Sequence, residues 1–273
     1  MSTTTTAAAP AAAAEPALQV RLRHAAIDTW AITRRNLTHI VRQPQLLVFS
    51  TIQPVMFVLL FNFVFGGVIE SVLPPGIDYI DYLIPGIFVQ TVAFGATQTG
   101  IGLAEDLSKG VIDRFRSLPM TRSAVLAGRT ASDLVRNICV LLIMTVAGVA
   151  LGFRPGVGLL GAIAIVVALG YAFSWIMAFI GISVSGVETA QAASFIGIFP
   201  LVFASSIFTP VEGFPGWLQT VARASPVTNV ANAARGMVIG GPVAEPLLYS
   251  LLWIAGILAV FVPLAVRAYR TRA

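Results

Sequence analysis

Residues 105–119 read EDLSKGVIDRFRSLP, a charged stretch set between apolar runs that are long enough to cross a bilayer. The charged island continues to Arg136 and holds six of the 17 basic residues and four of the 12 acidic residues. At its centre, Gly110 can end one helix and Pro119 can stop the next, which predicts a short helix between them. Apolar residues of this helix share one face, and charged residues lie opposite. We therefore expect it to lie across the membrane surface, with a solvated loop as the alternative.

The composition of the whole chain indicates an integral membrane protein. Charged residues make up 11% of the 273 residues, against about 25% in a typical soluble domain. Apolar residues reach 57%, and the mean hydropathy is +0.86. The net charge of +5 does not point to a nucleic acid as partner, because the basic residues follow the ends of the apolar runs.

Six apolar runs predict an all-α protein with six transmembrane helices. Before them, residues 1–17 are mainly Thr, Ala and Pro and predict a disordered tail, which leaves residues 18–273 as a single transmembrane domain. Residues 21–42 predict an amphipathic N-terminal helix that lies in the headgroup plane or packs on protein. The expected spans are residues 46–65, 82–103, 138–153, 157–184, 190–209 and 246–266.

The interval 210–245 is apolar but is broken by Gly and Pro, so we expect two short re-entrant or interfacial helices on the outer side before the last span. The basic residues then orient the chain. The N-terminal helix, the island and the tail after the last span carry 14 of the 17, while Arg154, Arg223 and Arg235 fall on the other side. By the positive-inside rule, both termini and the island face the cytoplasm.

The sequence has no motif of an enzyme or a cofactor site. It lacks a GxxxxGK[ST] phosphate loop and an HExxH zinc motif. The nearest approach to a GxSxG nucleophile elbow, residues 181–185, lacks the closing glycine. We therefore expect no catalytic residue, no metal and no cofactor in this chain itself.

The charged island closely resembles the signature of ABC type-2 permeases of the daunorubicin and doxorubicin resistance group. The resemblance rests on residues 105–119 and continues through RSAVLAGR at residues 122–129 to Asp133. Six spans, cytoplasmic termini, an amphipathic N-terminal helix and a broken outer segment before the last span are similar to the same family across residues 18–273.

This resemblance implies a permease subunit of an ATP-driven exporter in the cytoplasmic membrane. Such a permease would form a homodimer, or a heterodimer with a close paralogue, and would contact membrane lipid. A separate ABC ATPase subunit would bind ATP and Mg²⁺ and hydrolyse the ATP. The implied substrates are hydrophobic compounds, either drugs and antibiotics or lipid-like molecules, moved outward. The alternative from another class is a non-transporting membrane scaffold or a channel subunit.

The resemblance also assigns the short helix as the coupling helix that sits in a cleft of the ATPase. Phe115 would be its apolar anchor, and the charged residues beside it would select register and partner. The loop around Glu188 would make a secondary contact. The residues expected to couple the chain to the ATPase are Glu105, Gly110, Asp113, Arg114, Phe115, Arg116, Pro119, Arg129 and Glu188.

Polar and aromatic residues at membrane depth are the candidates for the translocation path or the dimer interface. In the family, the first, second and fifth spans lie near the dimer axis. The alternatives are hydrogen bonds between helices for the polar residues and ordinary packing for the aromatic ones. The candidates are Gln53, Phe57, Phe61, Gln90, Gln98, Phe199 and Phe203, and the other polar residues noted are Asn62 and Thr99.

Overall fold

The computed structural model of the protein describes residues 44–110 and 122–272, together with four earlier positions that are helical, Trp30, Thr33, Arg34 and Thr38. All regular structure in these ranges is helical. The predicted disordered tail, most of the predicted N-terminal helix and all of the predicted helix from Gly110 to Pro119 except Gly110 itself lie outside the described residues.

Nine α-helices follow one another in the described part of the chain. A π-helical turn, Phe61–Phe65, joins the first two, and a short 3-10 turn, Val211–Gly213, precedes the seventh. The helices are α1 Pro44–Leu60, α2 Gly66–Glu70, α3 Tyr79–Ser108, α4 Arg122–Ala150, α5 Leu159–Ser183, α6 Val187–Phe203, α7 Gly216–Ala224, α8 Pro226–Ile239 and α9 Ala244–Arg272.

Five helical stretches are long and apolar enough to cross a membrane, which confirms an all-α membrane protein. They are Ser50–Glu70, Tyr79–Ser108, Leu126–Ala150, Leu159–Ser183 and Ala244–Thr271. The predicted fifth span corresponds to α6, which is apolar but has 17 residues. It therefore rises about 26 Å, a little less than the roughly 30 Å of a bilayer core. The full six-span layout stays a prediction.

The start of α4 differs from the sequence analysis. The predicted third span began at residue 138, because charged residues are normally kept out of lipid. In the structure the helix begins at Arg122, and Asp133 and Arg136 lie inside the membrane-length stretch Leu126–Ala150. These two residues form an ion pair of 3.1 Å with little exposure. Pairing and burial among helices make the two charges tolerable at this depth.

Helices α3 and α5 form the centre of the fold and share the most extensive helix contact. Both are buried along most of their length by the other helices. Their backbones approach closely where α3 carries Gly100 and α5 carries Gly181. A Cβ on Gly181 would lie 2.1 Å from the carbonyl oxygen of Gly100, so no larger residue fits there without separating the helices. Small residues of this kind allow the close backbone contact that holds helices together in lipid.

Two short helices, α7 and α8, occupy the interval 210–245, and their placement on the outer side stays a prediction. Arg235 of α8 is buried, although the sequence analysis grouped it with outer-loop charges. Its guanidinium donates to the carbonyl oxygens of Tyr82, Ser206 and Ile207 at 2.7 to 2.8 Å. It also stacks 3.6 Å from the centre of the Tyr82 ring. Arg235 thereby joins α8, the start of α3 and the segment that follows α6.

We predict that Arg235→Lys destabilises the fold by on the order of 3 kcal/mol, because a single ammonium cannot satisfy all the carbonyl groups that the planar guanidinium serves. The thermal unfolding midpoint of the purified protein in detergent measures this loss. The matched control is Arg223→Lys on α7, whose side chain is 62% exposed and should tolerate the change. Equal midpoints for the two variants would contradict the role of Arg235.

Candidate functional site

The charged end of the bundle begins where α3 stops. Helix α3 ends at Ser108, and Gly110 follows with a φ of +64°, in the left-handed region that favours glycine. The helix stop predicted from the sequence is therefore present. Lys109 donates a hydrogen bond to the carboxylate of Glu105, which raises the pKa of the Lys109 ammonium. Both side chains are exposed, so the pair orders the surface rather than the core.

An ion pair joins the two helices that flank residues 111–121. Arg129 Nη1 of α4 lies 3.2 Å from Asp106 Oδ2 of α3, and both side chains are about four-fifths covered. Gly102 of α3 makes room for the guanidinium, since a Cβ there would overlap Arg129 Nη2. The end of α3 and the start of α4 are thus held together. Residues 111–121 therefore connect two neighbouring helix ends. Sequence analysis named Arg129 but neither Asp106 nor Gly102.

An apolar cluster lies at the same end of the bundle and joins α3, α4, α5 and α9. Its buried members are Leu103, Leu126, Trp175, Ala178, Ile182, Ala265 and Tyr269. Glu188 lies just beyond the end of α5, exposed in the first turn of α6, after Gly186 with a φ of +86°. Glu188 and the Asp106–Arg129 pair therefore both lie near the end of the bundle from which residues 111–121 leave.

The remaining predicted coupling residues lie outside the described residues, and their assignment stays a prediction. They are Asp113, Arg114, Phe115, Arg116 and Pro119.

A cavity of about 90 Å³ lies between α1, α3 and α4, lined by both polar and apolar groups. Three of the predicted path residues line it together, Gln53 from α1 and Gln90 and Gln98 from α3. Asn137 and Arg136 of α4 complete its polar wall. The other lining residues are Ser50, Pro54, Thr91, Phe94, Gly95 and Val140.

The glutamines of this cavity lack partners within the part of the chain that the structure describes. Gln90 is only 2% exposed, yet its Oε1 accepts no hydrogen bond there. The side chains of Gln53 and Gln98 are exposed, and neither makes a hydrogen bond to another described residue. The interpretation of these glutamines as structural bridges between helices is therefore the weaker one. By contrast, Thr99 does make such a bridge, because its hydroxyl donates to Asp133 of α4.

The charge of Arg136 is compensated where it faces the cavity. Asp133 pairs with Nη1, and the carbonyl oxygen of Gly95 accepts from Nη2 at 2.7 Å. Asp133 in turn accepts the hydrogen bond from Thr99. The cation that lines the cavity is thus paired with a carboxylate that does not itself line it, which leaves the site without net charge among the described residues.

The predicted aromatic residues form one cluster, distinct from the cavity. Phe61, the first residue of the π-helical turn, stacks on Phe208 at 4.3 Å between ring centres, and Phe199 stacks on Phe203 of α6 at the same distance. Phe203 lies 5.4 Å from Phe208, so this residue joins the two pairs. Phe57 contacts the cluster from α1 at 5.9 Å from Phe208. The stacking stabilises the approach of α6 to α1 and leaves Phe199 about half exposed.

Sequence analysis missed Phe208, Asn137 and the intramembrane role of Asp133 and Arg136. The three-residue spacing of Asp133 and Arg136 on a helix was a usable signal, since such a pair shares one face. Phe208 and Asn137 gave no comparable signal, because their partners are far away in the sequence.

The sequence profile of the ABC-2 type transporter family matches residues 27–239, which is most of the chain. The chain is also similar to individual curated proteins. It is 35% identical to the daunorubicin resistance ABC transporter permease protein of Streptomyces coeruleorubidus, over 87% of this chain and 86% of that protein.

Two further relatives cover similar shares of the chain. The probable doxorubicin resistance ABC transporter permease protein of Mycobacterium tuberculosis is 30% identical over 92% of this chain and 91% of its own length. A putative transport permease of Pyropia yezoensis is 24% identical over 75% of this chain and 72% of its own length. The chain belongs to the ABC-2 type transporter family.

Proposed function

We propose that this chain is the permease subunit of an ATP-driven drug-resistance exporter, which moves hydrophobic compounds outward across the cytoplasmic membrane. The observation that carries the proposal is the family match over residues 27–239, in a chain whose described residues include five helical stretches of membrane length. Relatives named as daunorubicin and doxorubicin resistance permeases cover nearly the whole chain. A scaffold or channel subunit would not account for that likeness.

Energy for transport would enter through a separate ATPase subunit, since the sequence contains no phosphate loop. Residues 110–119 would form the coupling helix, which the ATPase subunit would bind in a cleft. The Asp106–Arg129 pair supports such a role, because it fixes both flanking helices at their junction. A push on the intervening segment would then act on α3 and α4 together, and α3 runs through the centre of the bundle.

The translocation path would run along α1, from the glutamine cavity to the aromatic cluster. Both features use this helix, with Gln53 on the cavity, Phe57 in the cluster and Phe61 in the turn that directly follows the helix. A substrate moving along α1 would pass from amide groups to aromatic rings. A second permease chain, identical or closely related, would face the same surfaces of α1 and α6 and enclose the path.

Accessible cysteines test the proposed orientation, in which both termini and residues 105–110 face the cytoplasm. In a Cys139→Ser background, cysteines introduced at Ser71 and Thr220 should react with an impermeant maleimide added outside intact cells. A cysteine at Ser108 should react only after the membrane is opened. All three positions are exposed, so access to reagent decides the result. Labelling of Ser108 in intact cells would reverse the topology.

We expect the purified chain alone to hydrolyse no ATP, and the complex with its ATPase to drive uptake of a hydrophobic drug into inside-out vesicles. Phosphate release and vesicle uptake are measured on the same preparations. If the homogeneous permease hydrolysed ATP at the rate of the complex, this would disprove that a separate subunit carries the ATPase activity. Hydrolysis by the complex without any ATP-dependent uptake would favour the scaffold or channel alternative.

The coupling helix is tested by Phe115→Ala, which removes the proposed apolar anchor. At a protein interface, loss of a buried aromatic anchor costs on the order of 2 kcal/mol or more, so the affinity for the ATPase should fall at least about thirtyfold. Arg116→Glu should weaken binding as well, through a wrong charge at the interface.

The control is Trp217→Ala, which removes an exposed aromatic residue of α7 and should leave ATPase binding unchanged. Co-purification titrated with ATPase, followed by hydrolysis and uptake, measures the effect. Normal binding and uptake by Phe115→Ala at equal expression would exclude the coupling role and favour a solvated loop.

A further inference from the structure

We propose that the cavity between α1, α3 and α4 binds an uncharged headgroup bearing hydroxyl or amide groups, and that this headgroup belongs to an amphiphilic substrate with an apolar body. The inference rests on the proposed transport function and assigns the chemical class of its substrate. It concerns a site within one chain, formed by Gln53, Gln90, Gln98, Arg136 and Asn137.

The first argument is the unpartnered oxygen of Gln90. This side chain is 2% exposed and lines the cavity, yet its Oε1 accepts no hydrogen bond in the described part of the chain. A buried acceptor without a donor costs free energy, so native proteins rarely keep one that serves no ligand or water. The oxygen itself is fully covered, so the Gln90 amide would turn toward the cavity, where a ligand hydroxyl or amide N–H would supply the missing donor.

The second argument is the charge of the wall. Arg136 carries the only positive charge among the lining residues, and Asp133 pairs with it at 3.1 Å. An anionic headgroup would have to compete with this carboxylate, and a cationic one would face the guanidinium. Amide side chains both donate and accept, so three glutamines and Asn137 suit a group that does the same. The wall therefore favours a neutral polar headgroup over an ion.

The third argument is the surroundings of the cavity. A volume of about 90 Å³ has room for roughly six water-sized groups, which limits the ligand to a small headgroup. At the rim, Phe94 contacts Phe195 of α6 at 5.9 Å between ring centres. Further along α1 lies the aromatic cluster around Phe208. An apolar body attached to the headgroup would lie against these rings, outside the polar wall.

The test uses three photoreactive probes with the same dodecyl chain and a diazirine beside the headgroup, which is glucoside, trimethylammonium or sulfate. The purified permease–ATPase complex is placed in nanodiscs of phosphatidylcholine and phosphatidylglycerol, labelled, digested and mapped by mass spectrometry. We expect saturable labelling of the cavity segments of α1, α3 and α4 by the glucoside. The two ionic probes should need at least about tenfold higher concentrations for the same labelling.

Gln90→Leu removes the unpartnered oxygen at nearly constant volume. It should raise the half-saturating glucoside concentration about tenfold, as expected when hydrogen bonds to a buried amide are lost. The unfolding midpoint should stay equal or rise, because an unsatisfied polar group disappears. Gln98→Leu should weaken glucoside labelling in the same direction.

The matched control is Ser194→Ala on α6, which deletes a buried hydroxyl that does not line the cavity and that, like the Gln90 oxygen, has no hydrogen-bond partner among the described residues. Its labelling should equal that of the unaltered protein. Equal glucoside saturation in Gln90→Leu and in Ser194→Ala would overturn the proposal, as would tighter binding of either ionic probe.

Binding and transport are measured separately, so that a failure of the cavity assignment can be distinguished from a failure of the proposed transport function. ATP-driven uptake of a drug without saturable, Gln90-dependent glucoside labelling overturns the cavity assignment alone. Saturable labelling in a complex that hydrolyses ATP but takes up neither drug nor glucoside overturns the proposed transport function.

Discussion

Three arginines hold helices α4 and α8 to α3, and each is a cation removed from water that must find partners in the protein. Arg235 binds the Tyr82 carbonyl at the start of α3, Arg136 binds the Gly95 carbonyl at its middle, and Arg129 pairs with Asp106 near its end. A charge in an apolar environment must be paired or fully hydrogen-bonded. Each arginine therefore fixes its own helix against α3 at one level of the bundle.

The same requirement explains where small residues occur in α3. Gly86 lies against the Arg235 guanidinium and the Ile207 carbonyl, and Gly102 lies against the Arg129 guanidinium, so a Cβ at either position would collide. Gly100 admits the backbone of α5 in the same way. Helix α3 thus has glycine at the points where an arginine side chain or another backbone comes close to it. Apolar side chains of α3 between Tyr79 and Ala96 pack in the core.

This arrangement connects the two regions that the proposed function needs. Helix α3 contributes Asp106 to the junction beside residues 111–121, and it contributes to the cavity Gln90 and Gln98, which lie five residues before and three residues after Gly95. Helix α4 contributes Arg129 to the junction and Arg136 to the cavity wall. Movement transmitted at the junction would therefore reach the cavity through two continuous helices, because both regions are built on the same pair.

The sequence by itself determined the class of the protein, most helices and the helix stop at Gly110. These follow from local properties, namely the length of apolar runs, the exclusion of charge from them and the conformational freedom of glycine. It also identified Gln53, Gln90 and Gln98 as polar groups at membrane depth. Only the tertiary structure brought them to one cavity and gathered Phe57, Phe61, Phe199 and Phe203 around Phe208. Only it decided that Asp133 and Arg136 lie within a membrane-length helix. The physical reason is that the cost of a buried polar group depends on its partners, and those partners come from helices distant in sequence.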